Sequence, residues 1–170
     1  EINAGGGNDT LTFLASFGGY TGALNVDGED GTDSLTFNST LSLAAGSHFT
    51  AVAETIGVNN AIATAGAGTI LLQGTGSASL VSVNQLLATA GGSVTVRSDN
   101  DIRFGAAGGI SSGGGSVTVS AYNSGGGGSG GAVTMTDGAV IDAGSGPIDL
   151  SAYEDITLSL LRSTGLIYVW

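Results

Sequence analysis

Ser93-Val94-Thr95-Val96 and Ser116-Val117-Thr118-Val119 open two consecutive blocks of equal length, 93–115 and 116–138, and these blocks decide the fold. A third block, 139–161, aligns directly after them. Short apolar segments recur at 94–96, 102–104, 110, 117–119, 133–135, 140–141, 148–150 and 156–158. Self-similarity at a fixed period is typical of stacked repeats, and three strand signals per period predict a coil with three strands in each turn, or rung.

The N-terminal region has a repeat of its own. Residues 2–3 match 26–27, and 7–13 match 31–37, at apolar and polar positions alike. The segment 49–68 is less regular and Ala-rich, and the pattern restarts at 70. We therefore predict one all-β domain over 1–170, a parallel β-helix (β-solenoid) of about seven rungs, each of roughly 23–24 residues. Crossover geometry favours the right-handed form.

Within each strand signal the outer residues are apolar and the middle residue is usually polar. Because side chains alternate between the two faces of a strand, one face should point inward and form a stacked core. The predicted core residues are Val94, Val96, Val117, Val119, Ile148, Leu150, Ile156 and Leu158. Stability would then come from contacts between neighbouring rungs.

Two details concern the corners of the coil. The glycine-rich run 125–131 falls where a middle strand should lie, which predicts a local bulge or a mobile side there because a strand without side chains is weak. Asn100 and Asn123 occupy the same position in adjacent blocks, so their amides are expected to hydrogen-bond along the axis.

The charge balance is strongly acidic. The sequence has fourteen acidic residues and only three basic ones, Arg97, Arg103 and Arg162, so its formal net charge is −11. This surface would repel phosphates, so we predict no nucleic-acid partner and favour cations as small partners. No apolar run approaches the roughly 18–20 residues needed to cross a bilayer, so we predict no membrane insertion of this segment.

The sequence contains few side chains that could form a catalytic site. The available carboxylate pairs are Asp99 with Asp101 and Glu154 with Asp155, and His48 is the single histidine. The sequence contains no lysine or cysteine. The basic groups of a polysaccharide lyase, a Ser/His/Asp relay and a multi-histidine zinc site are therefore all hard to assemble. We predict that the chain is not an enzyme and assign no catalytic residue.

The C-terminal half resembles the repeats of filamentous-haemagglutinin-like and autotransporter-like adhesins. The resemblance is carried by the Ser-Val-Thr-Val starts, by 138–146, and by 148–152 leading to 155–158. These families are right-handed parallel β-helices on bacterial surfaces, so the resemblance implies a secreted, extracellular or cell-surface structural protein.

The N-terminal half is similar in part to the calcium-binding nonapeptides of RTX proteins, at 4–12 and 28–36. This similarity implies a calcium-stabilised module in which Asp9 and Asp33 fall on the ligand position. Calcium prefers several oxygen ligands, and Asp27, Glu29 and Asp30 would supply more of them, so the candidate ligands are Asp9, Asp27, Asp30 and Asp33. The alternative is a solvated acidic corner in which Asp and Gly serve the turn.

Three outward threonine pairs repeat one rung apart, Thr12 with Thr36, Thr95 with Thr118, and Thr134 with Thr157, and Ile141 is expected to interrupt one of these columns. Regular threonine arrays suit an ice- or glycan-binding face, although threonine is also a good exposed strand residue.

The main expectation is a structural and adhesive segment of a larger repetitive chain or fibre. No polar cap is evident at either end of the sequence, so both ends would expose strand edges that recruit another strand. The expected partners are neighbouring repeats or further copies end to end, and surface glycans.

Overall fold

The computed structural model describes residues 1–122 and 131–170, which contain strands, turns and irregular segments but no helix. Rungs 1 to 4 contain β1 (Ile2–Asn3), β2 (Thr10–Phe13), β3 (Phe17–Tyr20), β4 (Ala23–Asp27), β5 (Ser34–Phe37), β6 (Leu41–Leu43), β7 (His48–Ala53), β8 (Thr55–Val58), β9 (Ile62–Thr64), β10 (Ile70–Gly74), β11 (Leu80–Val83) and β12 (Leu86–Ala88). Rungs 5 to 7 contain β13 (Val94–Ser98), β14 (Asp101–Phe104), β15 (Gly109–Ser111), β16 (Val117–Ala121), β17 (Val133–Met135), β18 (Val140–Asp142), β19 (Ile148–Ala152), β20 (Ile156–Thr157) and β21 (Leu160–Arg162). β22 (Ile167–Val169) follows them.

Strands of successive rungs pair in parallel and form three sheets. Sheet 1 runs β1-β4-β7-β10-β13-β16-β19-β22, sheet 2 runs β2-β5-β8-β11-β14-β17-β20, and sheet 3 runs β3-β6-β9-β12-β15-β18-β21. We call the connections from sheet 1 to 2, from 2 to 3 and from 3 to 1 the first, second and third corners. The coil makes about six turns from the first to the last strand of each seven-stranded sheet, close to the seven rungs expected. The predicted parallel β-solenoid with three strands per rung is confirmed, and its right-handed sense stays a prediction.

The pairing register confirms the N-terminal repeat, since Ile2 pairs with Val26 and Phe13 with Phe37. The rungs are less uniform in length than predicted. In sheet 1 the rung that joins Phe49 to Ile70 is shorter than the one that joins Leu24 to Phe49. At the C-terminal end of this sheet, the rung that joins Val117 to Ile148 is longer than the one that joins Ile148 to Ile167.

The alignment of 139–161 as a third block of the same length is wrong. Val117 pairs with Ile148 in sheet 1, and Val140 lies in sheet 3 beside Gly109. The rung from Val117 to Ile148 is therefore longer than the predicted block, and this difference moves every later strand signal to a different sheet. The predictions for Asn123 and for 125–130 lie outside the described residues.

The Ala-rich region 49–68 forms a complete rung. β7, β8 and β9 pair on both sides with the rungs before and after them. Ala51 and Ala53 occupy inward positions of β7 and are buried. Alanine can occupy an inward position but gives only a weak apolar signal. The strand pattern of this region was therefore hard to recognise in the sequence.

The core is a stack of inward side chains from all three sheets. Burial alternates along the inner strands, as in β10, where positions 70, 72 and 74 are buried and positions 71 and 73 are not. Of the predicted core, the six residues of β13, β16 and β19 are fully buried and Ile156 packs partly against the core. The prediction for Leu158 is wrong: it is exposed, because it follows β20, the outermost strand of sheet 2, and no described strand covers it.

Aromatic side chains fill the core of the first three rungs. The rings of Phe13 and Phe37 stack with their centroids 4.7 Å apart, and Phe49 meets Phe37 edge to face at 5.3 Å. Phe37 and Phe49 are buried, so this cluster joins sheets 1 and 2 through the interior.

The third corner is a column of glycines in which successive rungs approach closely. A Cβ added at Gly92 would lie less than 3.0 Å from the carbonyl oxygen of Gly68, and one at Gly115 would meet Gly92 in the same way. Gly146 repeats this relation with Gly115. Only a residue without a side chain allows the rungs to stack this tightly here.

No helix in the described part of the chain is long and apolar enough to cross a membrane.

Candidate functional site

Three of the four candidate calcium ligands lie at the first corner of rungs 1 and 2, and Asp27 is the last residue of β4, directly before that corner. The Oδ1 atom of Asp33 accepts a hydrogen bond from the backbone N–H of Asp9 at 2.8 Å. The Oδ1 atom of Asp27 accepts from the N–H of Glu29 at 2.9 Å, and Asp30 is exposed. Two of these carboxylates therefore bond to the backbone of the corner itself.

Asp33 is almost completely buried, and its Oδ2 atom has no hydrogen-bond partner. Its backbone N–H donates to Oε2 of Glu54 at 2.7 Å, and Oε1 of Glu54 accepts from the hydroxyl of Thr75 at 3.0 Å. Glu54 thus links three rungs. The sequence did not single it out because it stands alone between β7 and β8, outside any acidic motif.

Within residues 1–122 and 131–170, no group of three or more His, Cys, Asp or Glu side chains is arranged so that it could hold a metal ion. Calcium binding at Asp9, Asp27, Asp30 and Asp33 stays a prediction.

The carboxylates of Asp99 and Asp101 both accept hydrogen bonds from backbone N–H groups of neighbouring rungs. Oδ2 of Asp99 accepts from the N–H of Gly76 at 3.0 Å, and Oδ1 of Asp101 accepts from the N–H groups of Gly131 and Ala132 at 3.2 Å. Oδ2 of Asp101 also forms an ion pair with Arg103 at 3.1 Å. Both carboxylates therefore hold neighbouring rungs together.

The threonine pairs fall in the predicted register. Thr12 pairs with Thr36 in sheet 2, Thr95 with Thr118 in sheet 1, and Thr134 with Thr157 in sheet 2. The predicted interruption by Ile141 is wrong, because Ile141 is buried in sheet 3 and the residue that follows Thr118 in its column is Asp149. In sheet 2 the column between Thr36 and Thr134 contains Gly57, Ser82 and Arg103.

A three-residue asparagine ladder lies at the second corner. The side-chain N–H of Asn59 donates to Oδ1 of Asn38 at 2.9 Å, and that of Asn84 donates to Oδ1 of Asn59 at 2.8 Å. The two spacings along the chain are unequal, so a search with one fixed period does not align these residues.

A cleft with aromatic walls lies beside the first corner of rungs 5 to 7 and reaches Trp170, which follows β22. Its volume is about 520 Å³, and it is lined by Asp99, Ala121, Tyr122, Ser151, Ala152, Tyr153 and Trp170. The repeat pattern in the sequence did not reveal this cleft, because blocks of fixed length place its two tyrosines at different positions. The signal was present, since Ser-Ala-Tyr occurs at 120–122 and again at 151–153, one long rung apart.

The terminal rungs expose apolar side chains that interior rungs bury. Ile167 of β22 is 42% exposed, whereas its pairing partner Ile148 is 0% exposed, and Val169 and Leu150 differ in the same way. At the other end Leu14 and Phe17 are exposed.

Comparison of the chain with protein-family models, with curated proteins and with solved structures finds no match. The resemblance to adhesin repeats and to RTX nonapeptides stays a prediction from the sequence.

Proposed function

We propose that this chain is a structural, adhesive segment of a secreted bacterial surface protein or extracellular fibre, in which the solenoid supplies mechanical reach and has no catalytic role. The observation that carries the proposal is the stack of three parallel sheets around one continuous apolar core, an architecture that can be extended rung by rung. Ile167 and Val169 continue the buried columns of Ile148 and Leu150 at the surface of this stack, where they are 42% and 44% exposed.

Another rung would bury these side chains, and apolar burial contributes about 25 cal/mol per Å². It would also pair the free edges of β20, β21 and β22, which are the outermost described strands of their sheets. Because every sheet is parallel, such a rung must run in the same direction as the rungs below it. Further repeats of one polypeptide and a second copy stacked head to tail both meet this condition.

The extracellular location rests on the resemblance to surface adhesins. The net charge of −11 suits a rod that resists nonspecific association, since like charges keep such rods apart laterally.

The test uses the protein over 1–170 in negative-stain and cryo-electron microscopy at a range of concentrations. We expect rods with an axial repeat of about 4.8 Å that lengthen with concentration. Ile167→Lys at one end and Phe17→Lys at the other should each stop the lengthening, because a charge at the junction opposes stacking. Leu86→Lys is the matched control, since Leu86 is also 42% exposed but lies in rung 4.

Compact monomers at every concentration, without an axial repeat of about 4.8 Å, would overturn the rod proposal. Equal effects of Ile167→Lys and Leu86→Lys would show that the association is lateral and not end to end. Circular dichroism of each variant would separate loss of stacking from loss of folding.

A second candidate is an ice- or glycan-binding face, favoured by the registered threonine pairs of sheet 2. Thr36→Lys would abolish thermal hysteresis or ice shaping by such a face and leave rod formation unchanged. A wild-type chain without thermal hysteresis would exclude ice as the ligand.

A further inference from the structure

We propose that the cleft formed by Tyr122, Tyr153 and Trp170 binds a neutral carbohydrate chain. This inference rests on the proposed adhesive function and names the class of its ligand. The three rings belong to successive rungs, about 4.8 Å apart along the axis, and they line one cleft of about 520 Å³. Ligand sites commonly have volumes of roughly 300–1,000 Å³.

The rings are available to a ligand. Tyr122, Tyr153 and Trp170 are 49%, 69% and 74% exposed. Large aromatic side chains usually bury most of their surface, so three of them exposed around one cleft mark a surface suited to a partner.

Backbone pairing places the three residues before any ligand arrives. The N–H of Tyr122 donates to the carbonyl of Ser98 at 2.9 Å, and the N–H of Tyr153 donates to that of Ala121 at 3.0 Å. The indole N–H of Trp170 donates to Oδ1 of Asp149 at 2.9 Å, which orients the ring. A surface positioned in advance loses less conformational entropy on binding.

The chemistry of the cleft matches a sugar ring. A pyranose presents one face of C–H groups, which packs on an aromatic ring, and a rim of hydroxyls, which need donors and acceptors. The methyl groups of Ala121 and Ala152 extend the apolar floor, and Asp99 provides carboxylate oxygens. The hydroxyl of Ser151 is buried and donates to Ser120 at 3.0 Å, so it supports the floor from below. The phenol groups of the two tyrosines can both donate to and accept from sugar hydroxyls.

Charge selects among carbohydrates. The described lining contains the carboxylate of Asp99 and no cationic side chain, and the chain as a whole carries −11. Acidic polysaccharides would be repelled. A basic peptide is the competing ligand, because aromatic rings also attract cations. The cleft favours the sugar, since its lining is mostly apolar and offers a single carboxylate to a cationic chain.

Trp170 is the only tryptophan, so its fluorescence reports directly on the cleft. The experiment titrates the protein with cellohexaose, mannohexaose and chitohexaose, with hexagalacturonate and hexalysine as charged comparisons. We expect a saturable change in fluorescence with at least one neutral hexamer. Tyr153→Ala should weaken that binding at least tenfold, because part of the stacking surface is lost, while Tyr153→Phe should retain most of it.

Tyr20→Ala is the matched control, since Tyr20 is an exposed tyrosine in rung 1, at the far end of the coil. It should bind as the wild type does. Absence of any response to the three neutral hexamers at millimolar concentration, or a response to hexalysine or hexagalacturonate alone, would overturn the proposal. The fluorescence measures ligand binding and microscopy measures rod length, so failure of either proposal leaves the other standing.

Discussion

Gly115→Ala should destabilise the solenoid although the new side chain is a single methyl group. Gly115 lies at the third corner of rung 5, and a Cβ there would fall less than 3.0 Å from the carbonyl group of Gly92 in the rung below. The backbone of Gly115 is not in the left-handed region, so the penalty comes from contact and not from the dihedral angles. Neither partner of this contact is a flexible side chain that could turn away.

The expected loss in the free energy of unfolding follows from the backbone shift that relieves this contact. Relieving the contact requires the two rungs to separate locally, because ordinary contacts begin near 3.4 Å. Two backbone hydrogen bonds join these rungs beside the contact, from Gly91 to Ser112 at 2.8 Å and from Val94 to Ser116 at 3.0 Å. Overpacking costs about 1–3 kcal/mol and a weakened hydrogen bond about 1 kcal/mol. We expect a loss of about 2–4 kcal/mol in the free energy of unfolding.

The assay is urea and thermal unfolding followed by far-ultraviolet circular dichroism, with Gly57→Ala as the control. Gly57 lies within β8, and a Cβ there would meet Thr36 at an ordinary 3.9 Å. That variant should be neutral or more stable by about 0.4–1 kcal/mol, because alanine restricts the unfolded chain. Wild-type stability for Gly115→Ala, or equal losses in both variants, would refute the argument from rung contact.

The remaining predictions concern the core, the ladder and the buried carboxylate. Phe37→Ala should cost about 3–5 kcal/mol, measured by urea unfolding, because it removes the central ring of the phenylalanine cluster. Asn59→Ala should cost about 1–2 kcal/mol in the same assay, since Asn59 makes two ladder hydrogen bonds, and Asn84→Ala, which loses one ladder hydrogen bond, should cost less. Asp33→Asn should preserve or raise the melting temperature in chelator-treated buffer, because it replaces a buried carboxylate whose Oδ2 atom has no hydrogen-bond partner. A loss of stability seen only with added calcium would instead make Asp33 a ligand.

The strand signals and their alternation could be predicted from local sequence. Val94, Val96, Val117 and Val119 are buried as expected, because period-2 alternation is a property of each strand and does not depend on its neighbours. The match between the first two rungs was also correct, since both sheet 1 and sheet 2 keep the same spacing there.

The candidate sites were harder to foresee. The acidic residues at the first corner were visible as a motif, but the bridge through Glu54 depends on a corner that contains a single residue between β7 and β8. The aromatic cleft depends on the long rung from Val117 to Ile148, which a fixed period divides wrongly. Sequence spacing alone does not say which extra residues belong to a strand and which to a corner.

The sequence by itself determined the all-β class, the three-strand repeat and the inward columns, because each follows from short-range alternation and from glycine-rich turns. Only the tertiary structure decided which rung each strand joins, and so which side chains meet. Tyr122 and Tyr153 line one cleft, and Asn38, Asn59 and Asn84 form a ladder, because parallel pairing of backbone hydrogen bonds sets the register between rungs, whatever the length of the corner that separates them.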